Sequence, residues 1–123
     1  MAIDPRTDVP DKRIIRALGI GLLVPPVAFL FNLEAAYALV PTACSEGTAL
    51  VHLVHMVSLL VAVLGSAVGW RAWQKSGATW PGGAGGRASR TQFLAGLGAL
   101  MGLLFIVVIL AQWMPSFILD PCQ

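Results

Sequence analysis

Residues 48–70 read TALVHLVHMVSLLVAVLGSAVGW, and this stretch decides the fold. It contains no Asp, Glu, Lys or Arg, and it has the length of an apolar helix that crosses a bilayer, about 20 residues. Two further apolar runs, 17–31 and 92–113, flank it along the chain. Charged residues make up 11% of the 123 residues, whereas a soluble domain averages roughly 25%. The sequence therefore predicts an all-α membrane protein, with three transmembrane helices in a single domain over 1–123.

Charges, prolines and turn residues set the expected helix bounds. We expect helices at about 12–40, 48–73 and 91–113, with a Gly-rich loop at 76–90. Pro25-Pro26 lies inside the first helix, where a proline removes a backbone donor and crowds the preceding turn, so this helix is expected to be kinked there and packed against a neighbour. Pro115 and Pro121 predict an irregular tail after the third helix.

Positive charges and cysteines lie on opposite sides of the three apolar runs. All eight Lys and Arg residues precede the first run or lie between the second and third, whereas Cys44 and Cys122 lie in the other two segments. The positive-inside rule then predicts a multi-pass protein of the bacterial inner membrane with a cytoplasmic N-terminus and a periplasmic C-terminus. Because the periplasm is oxidising, we expect a Cys44–Cys122 disulfide. Two free thiols, or a bridge to another subunit, are the alternatives.

The basic segments favour a role in setting topology and contacting anionic lipid, and not in binding nucleic acid. A cleaved signal peptide is an alternative interpretation of the first apolar run, because Ala36-Tyr37-Ala38 has the A-x-A form of a cleavage site. The length of the run and its proline pair favour an uncleaved helix.

Small residues at helical spacing predict where the helices pack. Gly65 and Gly69 in the second helix form one GxxxG spacing, and Gly98 and Gly102 in the third form another. Such spacings allow two backbones to approach closely in lipid. We therefore expect the small faces of the second and third helices to pack against each other.

His52 and His55 are the candidate functional residues. They lie on one face of the second helix near its outer end, and Glu34 of the first helix is expected at a similar depth. Intramembrane ionisable groups usually face protein or water. The sequence therefore predicts a polar cluster of Glu34, His52 and His55, in which one of the histidines bonds to Glu34.

Three interpretations of this cluster remain open. The first is structural hydrogen bonding between helices. The second is axial ligation of haem or chlorophyll by His52 or His55, and the third is contact with a proton path or a quinone. The chain has no nucleophile–base pair, phosphate loop or carboxylate dyad, so we assign no catalytic residue. Two widely separated cysteines and His52 are too few ligands to predict a metal site.

Residues 32–44, NLEAAYALVPTAC, together with His52 and the stretch 65–73, GSAVGWRAW, resemble small bacterial membrane proteins associated with cytochrome oxidase gene clusters. The resemblance implies an accessory subunit of a haem–copper oxidase complex, in which the main subunits hold the redox centres. It assigns no role to any single residue of this chain.

The function favoured by these observations is a non-catalytic accessory or assembly subunit of a larger bacterial membrane complex, in the first place a respiratory cytochrome oxidase. Its partners would be other membrane subunits and lipids. One alternative is a haem- or pigment-binding subunit that uses His52 or His55. Another is a small self-associating transporter or channel, although transporters usually have more spans and functional charges deep in the membrane.

Overall fold

The computed structural model describes residues 12–78, 86–120 and 122, and these residues form helices without strands. The helices are α1 (Lys12–Ala38), α2 (Val40–Glu46), α3 (Ala49–Lys75), α4 (Arg87–Trp113) and α5 (Pro115–Ile118). The three long helices have 27 residues each, which at 1.5 Å per residue gives about 40 Å. All three are long and apolar enough to cross a membrane. The predicted all-α fold with three candidate spans is confirmed.

The helix ends differ from the prediction in several places, and α3 runs over Ala49–Lys75 where 48–73 was expected. The first helix ends at Ala38, and the separate helix α2 follows, with a proline in its first turn and Gly47 at φ 97° at its end. Helix α4 begins at Arg87, four residues before the predicted start. Pro115 begins α5 in a tail that was expected to be irregular, because a proline at the first helical position loses no helical bond. Much of the predicted loop 76–90, and Pro121, lie outside the described residues.

Helix α1 continues through Pro25 and Pro26. The two prolines leave the carbonyls of Gly21 and Leu22 without the donors that a helix normally supplies four residues later. Pro25 is fully buried, and a Cβ placed on Gly65 of α3 would lie 3.4 Å from its Cδ. The proline segment is therefore packed against a neighbouring helix, as expected, while the kink itself stays a prediction.

Gly21, Gly69 and Gly98 bring the backbones of α1, α3 and α4 together at one level. A Cβ placed on Gly21 would lie 2.6 Å from Gly69 Cα, and one on Gly69 would lie 3.5 Å from the carbonyl carbon of Gly98. A Cβ on Gly98 would in turn lie 3.4 Å from the carbonyl carbon of Gly21. Gly69 thus faces both other glycines, Gly21 faces Gly69, and Gly98 faces Gly21; we call this arrangement the glycine crossing.

The predicted packing of the small faces of α3 and α4 against each other is corrected by the glycine crossing, which also includes α1. Gly69 does face Gly98, and Gly102 faces Ser66 of α3. Gly65, however, faces Val24 and Pro25 of α1, so the small face of α3 is shared between two helices. The physical reason is that α1 also presents a glycine, Gly21, which lets it reach the same level of the bundle.

Large apolar side chains lie mainly on the outside of the bundle. The buried apolar cluster beyond the glycine crossing consists of Ala28, Ala62 and Ile109. Leucines exposed over half or more of their surface occur on all three long helices, namely Leu23, Leu30, Leu53, Leu60, Leu64, Leu100, Leu103 and Leu104. Small residues inside and large apolar residues outside are typical of a bundle surrounded by lipid, where close packing replaces the hydrophobic driving force between helices.

The two ends of the bundle differ in chemistry. One end carries Lys12, Lys75 and Arg90, and we call it the basic end. There Gln92 Nε2 donates a hydrogen bond of 2.6 Å to the carbonyl of Ser76, which connects the start of α4 to the end of α3. The other end carries Cys44 and Cys122, and we call it the disulfide end. The candidate functional residues all lie at the disulfide end.

Candidate functional site

A disulfide joins Cys44 of α2 to Cys122 in the tail that follows α5. The two Cα atoms are 5.4 Å apart, and 78 residues separate the cysteines along the chain. The backbone N–H of Cys122 also donates to Asp120 Oδ1 at 3.2 Å. The predicted pairing is confirmed. Because α2 follows α1 and the tail follows α4, the disulfide connects the ends of these two long helices.

Asn32 of α1 is the most deeply buried polar side chain at this end, with 0% of its surface exposed. Its Nδ2 donates a hydrogen bond of 2.8 Å to Gln112 Oε1 in the last turn of α4. Its Oδ1 is buried without a hydrogen-bond partner. The amide pair thus connects α1 to α4 inside the membrane-spanning segment and leaves one acceptor unused.

His52 lies among aromatic rings of α4 and α5. Trp113 Nε1 donates a hydrogen bond of 2.8 Å to His52 Nδ1, and the ring of Phe117 lies 4.9 Å from the imidazole, centroid to centroid. Because Nδ1 accepts this bond, the neutral ring must carry its proton on Nε2. His52 therefore joins α3 to α4 through a side chain that sequence reasoning did not single out.

His55 has the opposite tautomer. Its Nδ1 lies 2.8 Å from the carbonyl oxygen of Val51, and a carbonyl can only accept, so Nδ1 carries the proton and Nε2 carries the lone pair. The side chain is 3% exposed. Its ring stacks on Trp113 at a centroid distance of 6.0 Å and an interplanar angle of 17°. Trp113 thus contacts both histidines.

The structure does not place Glu34 with the histidines, and the predicted polar cluster is corrected in this respect. Glu34 is exposed, and the hydrogen bonds of His52 and His55 run from their Nδ1 atoms to Trp113 and to Val51. The inward position at this depth belongs to Asn32, two residues earlier. A signal for it existed, because Asn32 is the only asparagine of the chain and directly follows an apolar run.

Neither histidine is well arranged to ligate a haem or chlorophyll. The bond from Trp113 leaves His52 with a protonated Nε2, which has no lone pair for a metal. His55 has the tautomer that metal-binding histidines adopt, but its side chain is 3% exposed and its ring already stacks on Trp113. Within the described residues, no group of three His, Cys, Asp or Glu side chains could hold a metal ion.

A cleft of about 460 Å³ opens beside the Asn32–Gln112 pair. We call it the outer cleft; every helix contributes to its wall, which consists of Asn32, Leu33, Ala36, Tyr37, Val40, Ala43, Thr48, Val51, His55, Gln112, Pro115, Ser116 and Leu119. Ala43 in this wall precedes Cys44 of the disulfide in the sequence. An apolar cleft with a few convergent polar groups is the usual form of a small-molecule site.

A second cleft of about 550 Å³ lies between α3 and α4 toward the basic end. Trp70, Arg71 and Trp73 line it, and the Nε1 of Trp73 is buried without a hydrogen-bond partner. The rings of Trp70 and Trp73 are 5.1 Å apart. Aromatic and basic side chains at a helix end are typical of a membrane–water interface.

No family model, curated protein or solved structure matches this chain. Its function must therefore be inferred from the sequence and from the geometry of the described residues.

Proposed function

We propose that this chain is a membrane-embedded accessory subunit of a larger complex in the bacterial inner membrane, with a structural role and no active site of its own. One observation carries the proposal: polar side chains at the disulfide end act as connections between helices. Asn32 bonds to Gln112, and His52 accepts a bond from Trp113. The polar interior of the bundle thus serves to hold a fixed shape.

The outer surface of the bundle is suited to contact with other membrane helices as well as with lipid. The exposed apolar side chains form broad faces on all three long helices, and the glycine crossing keeps the three helices close together. A rigid and narrow bundle can fill a space at the edge of a complex without a soluble domain. The cytochrome oxidase assignment within this proposal rests on the resemblance carried by residues 32–44 and 65–73.

The topology that belongs to this proposal places the basic end in the cytoplasm and the disulfide end in the periplasm. It is supported by the distribution of Lys and Arg and by the disulfide, which is expected in an oxidising compartment. A thiol-reactive or protease probe added from the periplasmic side tests it. A cysteine introduced at Ser76 should not react with a membrane-impermeant reagent in spheroplasts. Labelling at this position would contradict the orientation.

Purification of the tagged chain from its native membrane tests the main proposal. We expect other membrane subunits to co-purify in a fixed ratio, with haem-containing subunits among them. A chain that purifies alone under mild detergent contradicts the accessory role. Partners unrelated to respiration contradict only the oxidase assignment.

Site-specific photo-crosslinking sharpens this experiment. Leu23, Leu64 and Leu103 are exposed over 61%, 67% and 60% of their surface and lie on α1, α3 and α4. Each lies a few residues from the crossing glycine of its helix, on the side of the disulfide end. We expect a protein adduct from one or two of the three positions and lipid adducts from the rest. Lipid adducts from all three positions contradict the proposal.

A further inference from the structure

The outer cleft contains hydrogen-bonding capacity that the fold itself does not use. Asn32 lines the cleft, is fully buried, and has an Oδ1 without a partner. His55 also lines the cleft, and its bond to the Val51 carbonyl leaves the lone pair on Nε2. Buried polar groups in folded proteins are nearly always paired, so an unpaired one calls for an explanation. Asn32 Oδ1 and His55 Nε2 are both acceptors, and a ligand that satisfies them must donate.

The charges around the cleft indicate that this donor is neutral. No Lys or Arg occurs in 17–70 or 91–123, and the carboxylates at the disulfide end, Glu34, Glu46 and Asp120, are all exposed. A phosphate or carboxylate would therefore meet no cation and several negative charges. An ammonium group would lose its hydration against two neutral acceptors, which is unfavourable in a buried site. Hydroxyl groups meet neither difficulty.

The position and lining of the cleft indicate an amphiphilic ligand. Most of the wall is apolar, and the cleft lies at the end of the membrane-spanning helices, where a head group can enter from the lipid. Its volume of about 460 Å³ is within the usual range for small-molecule sites. An aromatic ring with hydroxyl groups and an apolar tail fits this combination.

We propose that the outer cleft binds the head group of a membrane hydroquinone, whose ring hydroxyls donate to Asn32 Oδ1 and His55 Nε2. Because Asn32 Oδ1 is buried in the structure, this bond requires a rotation of the Asn32 amide about χ2, a torsion with a broad minimum, and the ligand bond then replaces the bond to Gln112. The proposal concerns binding alone and includes no electron transfer. It does not depend on the accessory role, since a chain that purifies without partners would still contain the cleft. Phosphatidylglycerol, a lipid with hydroxyl groups, is the alternative source of the same donor chemistry.

Binding to the full chain in phosphatidylcholine nanodiscs tests the proposal. The probes are a short-tailed hydroquinone kept reduced under anaerobic, thiol-free conditions, the corresponding quinone, and phosphatidylglycerol. We expect the hydroquinone to bind about tenfold more tightly than the quinone, because quinone oxygens only accept and leave both protein acceptors unpaired. Phosphatidylglycerol is expected not to displace it at equal concentration.

Two variants test whether hydroquinone binding depends on Asn32. Asn32→Leu removes the acceptor and is expected to weaken hydroquinone binding about tenfold. His52→Phe is the matched control, since it also removes an interhelical hydrogen bond at the disulfide end but does not line the cleft. We expect it to leave hydroquinone binding unchanged.

Three results would overturn the proposal. Equal affinity for hydroquinone and quinone, or preference for the quinone, contradicts the acceptor argument, and this comparison needs no variant to fold. Displacement by phosphatidylglycerol shows that the occupant is a lipid. An equal loss of binding in Asn32→Leu and His52→Phe shows that Asn32 acts through the stability of the bundle alone.

Discussion

The glycine crossing and the disulfide end hold the same three helices together by different physical means. At the crossing, Gly21, Gly69 and Gly98 bring backbones into contact, and no side chain lies between them. At the disulfide end, the helices are connected by two side-chain hydrogen bonds and one covalent bond. The first region relies on the absence of side chains, and the second on particular pairs of them.

This difference explains where a ligand site can exist. Backbones in direct contact leave no space between the three glycines themselves. At the disulfide end, polar side chains lie between the helices, and the outer cleft of about 460 Å³ lies beside them. In lipid, where apolar surfaces gain little by meeting each other, close packing and polar pairs are the main available sources of association energy. In this molecule, close packing holds the helices at the glycine crossing, and polar pairs hold them at the disulfide end.

The largest effect is expected from adding a single methyl group at the glycine crossing. In Gly21→Ala the new Cβ would lie 2.6 Å from Gly69 Cα, and because backbone cannot move aside as a side chain can, α1 and α3 must separate. We expect the free energy of unfolding to fall by about 3 kcal/mol. Detergent-induced unfolding of the purified chain, followed by circular dichroism, measures the change.

Gly19→Ala is the matched control for this variant. Gly19 lies on the same helix and has no neighbour within 4 Å of its added Cβ. We expect unchanged or slightly higher stability, since alanine favours helix over glycine by up to about 1 kcal/mol. Equal losses in the two variants would show that the contact of backbones at Gly21 is not what holds the bundle.

The next largest effect is expected from the disulfide. Replacing both Cys44 and Cys122 by Ala should lower the free energy of unfolding by about 2 kcal/mol, less than a loop of this length would give in water, because the membrane already restrains the helix ends. Adding a thiol reductant should lower the free energy of unfolding of the unmodified chain by the same amount. It should have no effect on the double variant. A digest under non-reducing conditions without a Cys44–Cys122 linked peptide would refute the pairing.

The Asn32–Gln112 bond is expected to contribute less than the disulfide. A double-mutant cycle with Asn32→Leu and Gln112→Leu should give a coupling energy of about 1 kcal/mol, within the range found for hydrogen bonds between membrane helices. The control cycle pairs Asn32→Leu with Gln92→Leu at the basic end, where the two changes should be additive within about 0.5 kcal/mol. Additivity in both cycles would contradict a direct Asn32–Gln112 interaction.

The spans and the disulfide were predictable from the sequence because each depends only on the order of residues along the chain. The length of an apolar run determines whether a helix can cross a membrane, and the side on which Cys44 and Cys122 lie follows from counting spans. The three-way contact at Gly21 was not predictable in this way. Gly21 has no partner at a GxxxG spacing, and its role depends on how α1 is placed against two other helices.

The polar interior shows a second limit of sequence reasoning. Ionisable residues in an apolar chain draw attention because burying a charge is costly, and this directed the prediction to Glu34. An amide is less costly to bury and needs only a hydrogen bond, so Asn32 and Gln112 can meet inside the bundle. Which of two residues on one helix faces inward depends on the rotation of that helix, and the apolar pattern of α1 does not fix it.

Glu34 provides the smallest expected effect and the sharpest contrast with its neighbour Asn32. The side chain of Glu34 is exposed and bonds to neither histidine, so Glu34→Gln should change the free energy of unfolding of the purified chain by less than about 0.5 kcal/mol. Asn32→Leu, which removes a buried bond two residues away, should have a clearly larger effect in the same detergent titration. If Glu34→Gln destabilises the bundle as much as Asn32→Leu does, the carboxylate is paired with His52 or His55 after all. In that case α1 is rotated differently at the disulfide end, and the unpaired acceptor of Asn32 no longer argues for a ligand in the outer cleft.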